Sequence, residues 1–222
     1  MASYNAIIIT MAKKKFKSRV IAFVSLKGGV GKTTSCWFFA GVALENGSSA
    51  KIIDADNERS TLEWGDFIAD KPEGLSLVAA TSLNLERLAV PSSDREVILI
   101  DCPPNQRDIL SIAANVADDI LLCVRPTGVD VNRARSTLEV LAALDKKRID
   151  DGKAPLRVAL LITHFQGNKK LHKEAREVLA DKFPTFDTAI RYLGIYEEAF
   201  GRLPKGKLLE EYRSVWKELE KA

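Results

Sequence analysis

The chain has 222 residues, of which 46 % are hydrophobic and 28 % charged, with a net charge of +3. That length suits one domain, or one domain with a small appendage, and the composition is ordinary for a soluble globular protein. No apolar run approaches the ~20 residues that a bilayer span requires, and three scattered cysteines (Cys36, Cys102, Cys123) match neither a disulfide framework nor a zinc ribbon, which points to a reducing cytosol.

The charge is unevenly placed. Residues 1–19 hold Lys13, Lys14, Lys15, Lys17 and Arg19 and no acid, so the rest of the chain is slightly acidic. Residues 1–19 are expected to be a flexible basic arm and 20–222 the folded domain. Nucleic-acid contacts must then come from the arm or from local patches. The apolar run Ala6–Ile9 precedes the basic cluster, the reverse of a secretory signal. Met11 is a second candidate start beside Met1.

Val20–Leu26 is apolar and β-branched and reads as a buried strand. Lys32–Glu45 has apolar residues at helical spacing and stops at Asn46-Gly47. Lys51–Asp54 reads as a strand, Arg59–Asp70 as a helix closed by Pro72 and Gly74, and Leu75–Ala80 as a strand. Val97–Ile100 is a strand running into Asp101-Cys102-Pro103-Pro104. A helix over Gln106–Asn115, a strand over Ile120–Val124 and a long helix over Asn132–Lys147 follow. Arg157–Thr163 is a strand, Lys169–Asp181 a helix, Thr185–Ile190 a last strand, and Lys207–Lys221 a terminal helix. Continuous apolar strands alternating with helices predict an α/β, doubly wound, mainly parallel sheet covered on both faces.

One stretch carries chemistry: Lys27-Gly28-Gly29-Val30-Gly31-Lys32-Thr33-Thr34, between the first strand and the first long helix. Glycines there let backbone N–H groups surround phosphate oxygens, and the helix start adds its positive dipole end. Lys32 is placed to reach the β- and γ-phosphates, and the Thr33 hydroxyl to hold Mg²⁺. The strict phosphate-loop pattern puts a glycine where Leu26 stands; this chain instead has a second lysine, Lys27. The two histidines, His164 and His172, have no partner at catalytic spacing and are expected on the surface.

This stretch resembles the deviant Walker A box of the ParA/MinD superfamily of P-loop ATPases. Two further boxes match in order: Ile52–Asp56 resembles the second box, and Val97–Pro104 the Walker B box. Asn57-Glu58 and Cys102 depart from the usual residues. The resemblance implies ATP and Mg²⁺ as ligands. It makes Lys27 the signature lysine that crosses to a partner subunit's phosphates, an in-trans cation comparable to an arginine finger. It implies that Asp56 positions or deprotonates the attacking water, that Asp101 anchors Mg²⁺ with its waters, and that Asp54 supports that network. It also places the adenine pocket in loops after late strands, here Thr163–Asn168 and Ile190–Tyr196.

Within the superfamily, the cysteines do not resemble the cluster-holding pair of the nitrogenase iron protein. The terminal helix has a mixed-charge end and a wide apolar face that suits packing on the sheet better than a membrane, against a MinD-like reading. A ParA-type partition ATPase remains. It implies a homodimer sandwiching ATP, non-specific binding to nucleoid DNA, a ParB-like centromere-binding partner that stimulates hydrolysis, and a cytoplasmic, nucleoid-associated location. Lys205, Lys207, Arg191 and the basic arm are the candidate DNA contacts. The alternatives kept are a MinD-like membrane-associated positioning ATPase and, from another class, a metabolic P-loop ATP-dependent enzyme of the dethiobiotin-synthetase type.

Overall fold

The computed structural model describes residues 18–221. Lys13–Lys17, Ala6–Ile9 and Met11 lie outside them. Arg19 is the first residue of a strand and pairs with Asp119.

Among the described residues, six strands form one sheet: β1 (Arg19–Val24), β2 (Ser49–Asp54), β3 (Leu75–Ala79), β4 (Glu96–Asp101), β5 (Asp119–Val124) and β6 (Arg157–Ile162). The order is β3-β2-β4-β1-β5-β6, and every pairing is parallel. The doubly wound α/β sheet read from the sequence is therefore present, with all strands parallel. The chain winds out on one side of β1 and returns to the other, so the switch point lies at the carboxyl ends of β4, β1 and β5. Crevices there are where open α/β sheets hold ligands.

Alternate residues of each strand feed two cores. Val20, Ala22, Val24, Ile98, Ile100, Ile120 and Leu122 pack under α3 (Leu85–Leu88), α4 (Arg107–Val116) and α5 (Gly128–Asp150). Ile21, Phe23, Val97, Leu99 and Leu121 pack under α1 (Lys32–Glu45), α2 (Ser60–Asp66) and α8 (Glu210–Lys221). α1 is buried on nearly every side, which is why its sequence is apolar all round rather than striped. α8 lays Tyr212, Val215, Trp216 and Leu219 on it, with the Phe38–Tyr212 and Phe39–Trp216 rings 4.8 and 5.6 Å apart. Each such side chain contributes about 1.5–3 kcal/mol by burial. Among the described residues, no helix is long and apolar enough to cross a membrane.

Several element limits differ from the sequence reading. α5 starts at Gly128, four residues early, because Thr127 caps it: its Oγ1 accepts the Asp130 amide at 3.3 Å. α2 stops at Asp66 because the Phe67 and Ile68 amides close back onto the carbonyls of Trp64 and Gly65. The terminal helix is split, with a 3-10 turn at Gly206–Leu209 before α8. The strand expected at Thr185–Ile190 is absent. That segment touches β6 only at intervals, because the Asp187 and Thr188 amides turn to the Glu218 carboxylate instead of a ladder. α6 (Lys170–Lys182) was expected, while α3 and the short α7 (Gly194–Glu198) carry too little periodicity to be read in advance.

Candidate functional site

β1 ends at Val24, and the chain turns through Ser25–Gly31 into α1. Gly29 and Gly31 have φ of +68° and +83°, a region that side-chain-bearing residues rarely adopt. Gly31 is the N-cap of α1, no side chain caps that end and no acid stands in the first turn. The helix start is thus left to an external anion, with the dipole favouring negative charge. Space above Gly28 and Gly29 is open, since a Cβ built on either meets nothing within 4 Å. Val30 is buried, and its carbonyl accepts Thr163 Oγ1 at 2.8 Å, which fixes the loop against β6. Lys32 is buried, with Nζ 3.4 Å from the Lys27 carbonyl, so its ammonium lies over the loop.

Thr33, in the first turn of α1, donates its hydroxyl to Asp101 Oδ2 at 2.6 Å. Thr61 of α2 donates to the same oxygen at 2.7 Å. The other oxygen, Oδ1, is buried without a partner. Burial pushes the Asp101 carboxyl up to about 6, against the lowering effect of the two hydroxyls and of Lys32. A buried, unpartnered carboxylate oxygen beside a threonine hydroxyl whose lone pairs are uncommitted suits a hydrated Mg²⁺. Among the described residues, no group of three or more His, Cys, Asp or Glu could hold a metal. The residues placed to hold such an ion are Thr33 directly and Asp101 through water.

Asp54 stands directly opposite Asp101 in the β2–β4 register. Both its oxygens are engaged, by the amides of Asp56 and Leu62 at 3.0 Å. Burial raises its carboxyl, and those two bonds oppose the shift. It fastens the second box to α2. Asp56 is half-buried, and its Oδ1 accepts the Glu58 amide at 3.1 Å. Arg59, at φ 57°, pins the loop by donating to the carbonyls of Asp54 and Ala80.

Lys27 bonds the Asp130 carboxylate of its own chain. Asp130 also accepts Arg125 Nε and Thr127 Oγ1, each at 2.9 Å. Burial works to raise that carboxyl, but the Lys27, Arg125 and Thr127 bonds hold it below the ordinary value.

Beside Gly31 and Thr34 lies a cavity of about 200 Å³, walled by Thr163, His164, Ile190, Tyr192, Tyr196, Trp64 and Phe200. The two loops expected to form a base pocket meet here. The His164 and Tyr192 rings stack, with centroids 5.6 Å apart at 24°. Burial, then Arg125, lowers the His164 pKa from its ordinary value, which favours the neutral imidazole. Neither histidine is a free surface residue. His164 lines this cavity, and His172 is buried with Nδ1 accepting the Gln166 amide at 3.1 Å.

Arg191 is exposed, but Glu211 takes both its side chain and its amide, and also accepts Tyr196 Oη at 2.6 Å. Arg191 thus braces the cavity wall. Lys205 and Lys207 are exposed around the 3-10 turn. Asp130 and Thr61 escaped the sequence reading. Thr127-x-x-Asp130 is a helix-start signature that would have flagged the first; nothing local marks the second.

Residues 21–202 match the model of the CobQ/CobB/MinD/ParA nucleotide binding domain. The chain is 21 % identical over 188 residues to the maintenance of carboxysome distribution protein A of Halothiobacillus neapolitanus, covering 82 % of this chain and 84 % of that one. A Borrelia burgdorferi protein assigned to plasmid partition, solved with AMPPNP, superposes with a TM-score of 0.71 at 19 % identity, over 93 % of this chain and 100 % of that one. Cobyrinic acid a,c-diamide synthase of Mycobacterium smegmatis, with an ATP analogue and magnesium, superposes with a TM-score of 0.65 at 19 % identity, over 92 % and 98 %. These structural likenesses establish the fold.

Proposed function

Because the chain belongs to the CobQ/CobB/MinD/ParA nucleotide-binding family, we propose that it is an ATP-hydrolysing partition or positioning switch. In this reading two copies close over ATP and Mg²⁺. Lys32 and the loop amides hold the phosphates, Thr33 and Asp101 hold the metal, and Asp56 prepares the attacking water. Lys27 of each copy crosses to neutralise charge on the other's nucleotide. The ATP dimer binds DNA without sequence preference, through Lys205 and Lys207 and the basic arm, while Arg191, ion-paired with Glu211, is committed to the cavity wall. A ParB-like partner accelerates hydrolysis and releases the dimer from the nucleoid.

The observation that carries this reading is the uncapped glycine loop set against Asp101, whose one oxygen takes Thr33 and whose other is orphaned. Sequence likeness to a carboxysome-distribution protein supports positioning over metabolism. The buried apolar face of α8 supports DNA over a lipid surface.

The test is purified protein with ATP and Mg²⁺, followed by light scattering and phosphate release, with and without duplex DNA and the partner. The expected result is a nucleotide-dependent dimer with slow turnover that DNA and partner raise together. Lys32→Ala abolishes ATP binding. Asp56→Ala keeps the dimer and lowers turnover by about 100-fold or more, the usual worth of a positioned acid–base group. Undiminished ATP binding by Lys32→Ala overturns the reading. Turnover that needs a small molecule and ignores DNA reassigns the chain to metabolism.

A further inference from the structure

We propose that Thr61 is a positioning residue for the Mg²⁺ site: its hydroxyl holds Asp101 in the orientation that presents Oδ1 to the hydrated metal. The inference rests on the nucleotide site described above and goes beyond it, because Thr61 stands in α2, outside all three sequence boxes.

Three observations carry it. Thr61 is fully buried, and its hydroxyl donates to Asp101 Oδ2 at 2.7 Å. Thr33 donates to that same oxygen at 2.6 Å, so Oδ2 is anchored from two sides while Oδ1 has no partner. α2 is itself fixed: Asp54 Oδ2 accepts the Leu62 amide at 3.0 Å, one residue beyond Thr61, and Asp54 pairs with Asp101 across the sheet. A carboxylate held by one hydroxyl can rotate about its Cβ–Cγ bond and trade its oxygens. Two donors on one oxygen remove that freedom before the metal arrives, which lowers the ordering cost of binding it. With its O–H already donated in a hydrogen bond to Asp101, Thr33 would have its oxygen lone pairs available to the metal. Thr61 never touches Mg²⁺. Its effect passes through Asp101 and links α2, behind the loop that bears Asp56, to the metal.

The probe is a fluorescent ATP analogue titrated with Mg²⁺ into the full chain. In Thr61→Val, which keeps shape and loses the hydroxyl, the Mg²⁺ midpoint rises roughly tenfold, the scale of one charge-assisted hydrogen bond. Analogue affinity at saturating Mg²⁺ stays within about twofold of the parent. Thr61→Ser, which keeps the donor, returns the midpoint to the parent value. An unshifted midpoint in Thr61→Val overturns the proposal. So does affinity lost equally at all Mg²⁺ concentrations, which marks general damage. If Thr61→Val fails to fold, Thr61→Ala takes its place, with the same raised midpoint expected and an unshifted one overturning the proposal. A parent chain that binds no nucleotide in Mg²⁺ refutes the ATP site itself; a parent that binds while Thr61→Val matches it refutes only the role of Thr61.

Discussion

The Lys27 ammonium is held by the Asp130 carboxylate of its own chain, between the glycine loop and the first turn of α5. A lysine destined for a partner's phosphates must first leave this bond. Its side chain is about one-quarter exposed while that of Asp130 is buried, so the pair is sheltered but within reach of solvent. Asp130→Asn keeps the shape and removes the competing charge. We expect it to lower the protein concentration for ATP-dependent dimerisation by roughly three- to tenfold, the worth of one partly sheltered ion pair. Lys27→Ala should bind ATP as a monomer and fail to dimerise. Sedimentation with a non-hydrolysable analogue reads both; weaker dimerisation by Asp130→Asn would remove the competition.

Asp101 gives a pH signature. Its folded pKa of about 6 lies above the ordinary 3.8, chiefly through burial, so the fold favours the protonated form. Its contribution to stability is present at low pH and lost as pH rises from about 4 through 6. The span corresponds to about 3 kcal/mol. Nucleotide-free parent should therefore lose several degrees of Tm across that window relative to Asp101→Asn. Parallel Tm profiles for the two proteins would show that Asp101 titrates at its ordinary value.

The cavity beside Gly31 should read the base. Removing one stacked aromatic face costs about 1–3 kcal/mol when a base rests on it. Tyr192→Ala is expected to weaken ATP binding by roughly ten- to a hundredfold while inorganic triphosphate binding stays unchanged. Competition of triphosphate and ATP against a labelled analogue separates the two. Equal loss for both ligands would place the base elsewhere.

Gly41 marks where α1 meets the segment leading to α8. A Cβ there would lie 2.6 Å from the Pro204 carbonyl oxygen and 3.1 Å from Leu209. Backbone cannot yield as a flexible side chain does, so Gly41→Ala should cost about 1–3 kcal/mol. In a domain of this size that is roughly 2–10 °C of Tm. An unchanged melting curve would mean that the segment moves away at no cost.

The residues legible in the sequence were those whose chemistry is local. The Lys27–Thr34 loop announces itself because glycines, lysines and threonines stand between an apolar strand and a helix. Asp54 and Asp101 announce themselves by ending apolar runs. What escaped is what the sheet brings together. Thr61 and Asp101 are 40 positions apart, and Lys27 and Asp130 are 103 apart. Their pairing follows from strand order, which a linear pattern does not carry. Thr185–Ile190 failed for a related reason: its alternation is β-like, but a carboxylate from α8 captures the amides a ladder would need.

Trp64 joins α2 to the far wall of the cavity. Its ring stacks on Trp37 at 5.6 Å, lies 5.4 Å from Phe200, and its indole N–H donates to the Arg202 carbonyl at 2.9 Å. Only three tryptophans are present in the chain. One of them thus bridges the helix behind Asp56 and the loop that would enclose a purine. Any tilt of that helix during a turnover cycle alters the surroundings of this fluorophore. Stopped-flow tryptophan emission of the unlabelled protein would report such a tilt, since Trp64 touches both sides of the cavity.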